Sequence, residues 1–126
     1  MLKNIVIAVL VLSLIGICVF QAWYLSDVFS ELEAIAEDLT LEADAGNWEA
    51  ALGVYQKLMA RWEKSLGVLS CFLIHDEVDH VSEELENIGA QLEARNETLL
   101  PSSLARLCYY LEHIRDGDAF SVENIF

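Results

Sequence analysis

The chain has 126 residues and a formal net charge of −14, from 21 acidic and 7 basic residues, yet 55% of its residues are hydrophobic. That length suits one domain, and that sign of charge excludes electrostatic attraction to a nucleic-acid backbone. The two excesses coexist because they are segregated: Lys3 is the single charged side chain before residue 26, and all 21 carboxylates follow it.

Residues 5–25, IVIAVLVLSLIGICVFQAWYL, carry no charge. As a helix this run rises about 31 Å, enough to cross a hydrocarbon core of about 30 Å. Trp23 and Tyr24 stand at its far end, where amphipathic rings favour the membrane–water interface. We therefore predict a transmembrane signal-anchor helix over 1–25, touching membrane lipid through residues 5–25. Residues 26–45 hold seven carboxylates and no Lys or Arg, so the positive-inside bias predicts a single pass with the N-terminus cytoplasmic and the bulk extracytoplasmic. A cleaved signal peptide needs a shorter apolar core and small residues at its end. Gly16-Ile17-Cys18 meets that poorly, and Ile17 also spoils a lipoprotein signal. Ser13, Gly16 and Cys18 are too irregularly spaced for a small-xxx-small dimer face, which leaves homo-oligomerisation open.

Beyond the span, apolar residues recur at helical spacing. Leu25, Val28, Leu32, Ile35 and Leu39 continue the first helix to about Ala43. Gly46 permits a turn and Asn47 suits an N-cap. A second helix is expected from Trp48 to about Ser65, burying Trp48, Ala51, Leu52, Tyr55, Leu58, Met59 and Trp62, with a break near Gly67 and Ser70. A third, over about 70–94, carries the stripe Ile74, Val78, Val81, Leu85, Ile88 and Leu92. After ARNETLLPSS a fourth repeats the pattern with Leu104, Leu107, Leu111 and Ile114, and Gly117 is the expected C-cap. Short connections imply antiparallel neighbours. The predicted fold is all-α: a transmembrane helix continuing into an up-down-up-down antiparallel bundle, the acidic extracytoplasmic four-helix unit spanning 26–118. A C-terminal apolar tail, 119–126, remains, with Phe120, Val122, Ile125 and Phe126 to be placed either in a groove of the bundle or on a partner.

Folding the last two helices about residue 97 sets Cys108 about 24 Å along the axis from Cys71, beyond the ~7 Å Cα separation a disulfide spans. Both thiols are expected to stay free and to pack as small apolar residues. Trp48, Tyr55 and Trp62 lie on one face, where aromatics read as core before they read as a ligand platform. Tyr109 and Tyr110 leave their helix's stripe and read as rim.

The stretch LSCFLIHDEVDH is the most chemical in the chain. On one helix His75 and Asp79 share a flank, while Asp76 and His80 point outward with Glu77 one turn from His80. Glu77-x-x-His80 has the spacing of di-iron bundles, but those helices aim both residues inward, and His80 lies about 130° from the core stripe by helical geometry. The antiparallel register brings Glu112 and His113 level with His80, at the end nearer the membrane. His75, Asp76, Glu77, Asp79, His80 and His113 are thus the candidate ligands for a divalent cation such as Zn²⁺ or Mn²⁺, closable across two chains but not within one. A solvated face takes precedence, since early carboxylates suit the positive end of a helix dipole. No cofactor is expected.

An N-terminal membrane helix followed by NWEAAL, RWEKSLGVLSCF, HDEVD, LEHI and a closing SVENIF resembles a family of short single-pass membrane proteins of Gram-positive spore formers, catalogued as a domain of unknown function. The likeness covers nearly the whole length, with Ile74 and Pro101 departing from the pattern. It implies an anchored, all-helical outer part and supplies no catalytic residues. The residues themselves lack a nucleophile–base pair, a Gly-rich phosphate loop and a complete metal motif, so an enzyme is not expected. The chain reads as a non-enzymatic bundle binding or supporting another envelope or membrane protein. The alternative is an extracytoplasmic bundle sensing a metal or small ligand.

Overall fold

The uncharged run and the first amphipathic stripe form one helix, α1, spanning Leu2–Asp44. Its 43 residues extend about 65 Å at 1.5 Å per residue. Every side chain from Met1 to Phe20 is exposed, Gln21 and Ala22 are partly covered, and Leu25, Val28, Phe29, Leu32, Ala36 and Leu39 are buried. The first half is long and apolar enough to cross a membrane, and the second half is one wall of a bundle. The structure is a computed structural model describing the backbone of residues 1–125 and the side chains of residues 1–117.

Helix α2, Trp48–Phe72, returns alongside α1; α3, His75–Glu93, runs out again; α4, Leu100–Ile125, returns once more. Each helix packs on its two neighbours, with α4 closing the ring on α1 and no contact across either diagonal among the described residues. This is the antiparallel four-helix arrangement expected from the periodicity. Among the described residues there is no strand.

The turns follow local chemistry. Gly46 takes φ +76°, the left-handed region a residue without Cβ enters freely. Asn47 holds the N-cap position of α2 but makes no capping bond; its side-chain amide instead donates to Glu42 Oε2 at 3.1 Å. Between α3 and α4, Arg95 lies at φ 49°, and Asn96 Oδ1 accepts from the backbone N–H groups of Thr98 and Leu99 at 3.1 and 3.0 Å. Pro101 falls in the first turn of α4, where its missing N–H has no intrahelical partner to lose. The last helix therefore starts before Pro101 and is not interrupted by it.

Three expectations need correction. Helix α2 does not break near Gly67 and Ser70 but continues to Phe72, because burial of Ser65 and Leu69 repays a glycine in a helix interior. Ile74 belongs to no buried stripe: it is the extended residue before α3, 68% exposed. Gly117 caps nothing, since α4 passes through it to Ile125. The docking expected of Phe120, Val122, Ile125 and Phe126 falls outside the described side chains.

The core is filled by Phe29, Leu32, Leu58, Trp62, Leu85, Ile88 and Leu107, each under 2% exposed, together with their neighbours. Polar groups fix the registers. Trp62 Nε1–H donates to Ser82 Oγ at 3.1 Å, and Tyr55 O–H donates to the Leu85 carbonyl at 2.9 Å, both tying α2 to α3. Arg61 reaches Glu31 at 2.7 Å across α1 and α2, and Arg106 reaches the buried Glu84 at 3.3 Å across α3 and α4.

Candidate functional site

The histidine–carboxylate stretch begins where Leu73 and Ile74 extend the chain between helices. The Ile74 carbonyl accepts from the N–H groups of Glu77 and Val78 at 3.1 and 3.3 Å, so His75 opens α3. Asp76 and Glu77 occupy its first turn, where carboxylates interact favourably with the helix dipole. His75, Asp76, Asp79 and His80 are exposed and Glu77 is half-buried. Among the described residues, no three His, Cys, Asp or Glu side chains gather into a group that could hold a metal ion.

The structure does bring His80 and His113 onto one surface, but with tyrosines between them. His80 stacks on Tyr110 with ring centroids 5.6 Å apart and planes 17° from parallel. His113 stacks on Tyr109 at 5.8 Å and 11°, and the two tyrosines meet edge to face at 6.0 Å. His80 thus lies opposite Tyr110, one turn from the level expected, and the four rings form a row across α3 and α4. Sequence reasoning missed this row. Its signal was Tyr109 lying four residues before His113, a spacing that places two rings one above the other on a helix.

The thiols divide differently from expectation. Cys71 is exposed on the last turn of α2, not packed, and its Sγ lies 3.5 Å from the Gly67 carbonyl. Cys108 is half-buried, and burial, then the nearby Glu33, Glu37 and Glu112 carboxylates, push its thiol above the ordinary range. A thiol held protonated is a poor nucleophile. Tyr55 is raised as well, by burial and then by Glu86, Glu93 and Glu63, which keeps it a neutral donor to Leu85.

Glu33 joins α1 to α4. Its Oε2 accepts from Arg115 Nη1 at 2.6 Å, while its Oε1 is buried without a partner among the described residues. Desolvation raises its carboxyl above the ordinary 4.5; Arg115 opposes the shift, and Glu112, Asp116 and Glu37 add to it. A carboxyl raised on folding contributes stability that is full below the unfolded value and is lost as pH rises through the folded one. Glu33→Gln keeps the shape and an acceptor for Arg115 but does not titrate. The stability of the native chain relative to this variant is therefore expected to increase as pH falls from 7 toward 4.5, by less than about 1 kcal/mol for a partly buried pair that solvent still screens. Chemical unfolding of both at several pH values reads this directly, and a difference that shrinks on acidification would contradict it.

At the end of the bundle farther from the apolar half of α1, a shallow groove between α1 and α4 is lined by Leu41, Pro101, Leu104, Ala105 and Cys108, with Glu37 and Asp44 beside it. Leu41 is 68% exposed there. Residues 19–125 match the family described as "Domain of unknown function (DUF4363)". The match starts inside the apolar run and takes in the whole bundle. No curated protein and no solved structure matches the chain.

Proposed function

Since the chain belongs to the DUF4363 family, whose description assigns no activity, we propose from its architecture that it is a non-enzymatic single-pass membrane protein whose outer bundle binds or supports another envelope protein. One observation carries the reading: α1 passes without a break from a fully exposed apolar half into the wall of a packed bundle. An apolar half-helix without a partner among the described residues has lipid as its natural solvent. The rigid continuation fixes the orientation of the bundle relative to it. The bulk lies outside the cytoplasm, because Lys3 precedes the span and the residues just after it are acidic. Exposed Leu41 beside a groove flanked by carboxylates suits a partner with an apolar ridge and basic edges.

Two measurements test this. Protease added to right-side-out membrane vesicles is expected to cut the exposed α3–α4 turn at Arg95; protection until the vesicles are opened would overturn the orientation. Crosslinking followed by purification of the full chain from native membranes is expected to recover a protein partner in stoichiometric amount, with recovery lost in Leu41→Lys. Recovery of the chain alone, or a partner indifferent to Leu41→Lys, would reject this surface as the binding site.

A further inference from the structure

The register of α2 on α1 sets where the α2–α3 turn lies relative to a bilayer. The Arg61–Glu31 pair fixes the two helices side by side. Eleven residues further along α2, Phe72 comes level with about Phe20, inside the uncharged run of 5–25 and past Trp23. The covering of α1 gives the same level independently, since its side chains first become partly covered at Gln21. The bundle therefore does not stand clear of the span. Its near end overlaps the last turns of it.

The composition of that end fits the overlap. Residues 65–74, SLGVLSCFLI, form the longest uncharged stretch after residue 26. Leu69 is buried, but Val68 is 38% and Ile74 68% exposed, Cys71 is exposed, and Phe72 and Leu73 are only half-covered. Lys64 is exposed one turn before Val68, where a long side chain with a charged tip can reach a lipid phosphate. His75, Asp76 and Asp79 follow at once on α3, and carboxylates there limit how deep the turn can go.

We propose that the α2–α3 turn, through Val68, Cys71, Phe72 and Ile74, is a second membrane contact, seated at the headgroup–acyl boundary of the leaflet from which the bundle emerges. The occupant is lipid, because the patch sits at the depth of the span itself. An apolar turn and helix end held beside residues 20–23 of an embedded helix enter the same layer. The inference rests on the reading of α1 as a membrane span.

The test uses the full chain in phosphatidylcholine vesicles, with Cys18, Cys71 and Cys108 replaced by Ser and a single spin label introduced by Leu10→Cys, Leu41→Cys or Ile74→Cys. All three positions are exposed, so the substitutions leave the core intact. Accessibility to oxygen, which concentrates in lipid, is compared with that to a water-soluble nickel chelate. The label at 74 is expected to favour oxygen several-fold over the label at 41, and to fall between those at 41 and 10. A label at 10 deep in lipid with 74 as wet as 41 would overturn the second contact and leave the span standing. A label at 10 in water would overturn the span. A label at 74 shielded from both probes would put a second protein surface over the patch and reject lipid as its occupant.

Discussion

Trp62→Ala is expected to destabilise the bundle by about 3–5 kcal/mol, the range for emptying a buried aromatic site. Trp62 is 1% exposed and the largest buried side chain in the protein. Its indole fills the centre of α2's buried face between Leu58 and Leu69 and ties α2 to α3 through Ser82. Against a total stability of about 5–15 kcal/mol, that loss removes a large share of the folded population's margin. Trp62→Phe keeps most of the volume and gives up the bond to Ser82, so its cost should fall well below that of alanine. Ser82→Ala removes the acceptor alone and should cost no more than about 1.5 kcal/mol. Urea unfolding of the full-length chain in detergent, followed by helical circular dichroism, ranks the three. A Trp62→Ala loss under about 1 kcal/mol would mean that the ring is not in the core.

Gly89→Ala is expected to destabilise although alanine is the better helix former by about 1 kcal/mol. A Cβ at 89 would run into the Tyr55 ring, meeting its hydroxyl oxygen most closely, then Cζ at 2.8 Å and Cε1 at 3.2 Å. Tyr55 could swing clear only by giving up its bond to the Leu85 carbonyl. Overpacking of this kind costs about 1–3 kcal/mol. The interaction is specific to one pair, so the double variant Tyr55→Leu/Gly89→Ala should be more stable than the two single changes summed, by about 0.5–3 kcal/mol of coupling. Strict additivity, or a stabilising Gly89→Ala, would show that α2 and α3 are not this close.

Much of the architecture was legible in residue spacing. Val78, Val81, Leu85, Ile88 and Leu92 step by three and four and are all buried, and the stripes of α1 and α4 follow the same rule. Helix ends were harder, because they are decided between helices. Gly67 and Ser70 look like breakers locally, yet the buried Ser65 and Leu69 hold that segment in the bundle. Ile74 continues the α3 period in sequence, but the chain turns just there and leaves it in the open. Gly117 resembles a cap by residue type alone, while α4 continues past it. The ion pair of Arg115 with Glu33 joins residues 82 positions apart and is set by ring closure, which no local pattern encodes. The register set His80 and His113 level but facing away from each other; the two share one surface instead, and a one-turn difference in register decides that each rests on a tyrosine.

With the apolar half of α1 in lipid, as proposed above, the unbroken helix would make the bundle a pointer attached to the bilayer. Its distal part, from about residue 20 to Asp44, extends about 36 Å. Transmembrane helices tilt to match the local hydrocarbon thickness, and with no hinge to absorb it, a tilt of about 20° would sweep the far tip sideways by about 12 Å. Membranes of different thickness would thus present the Leu41 end to different neighbours, with lipid composition steering a protein surface far above it.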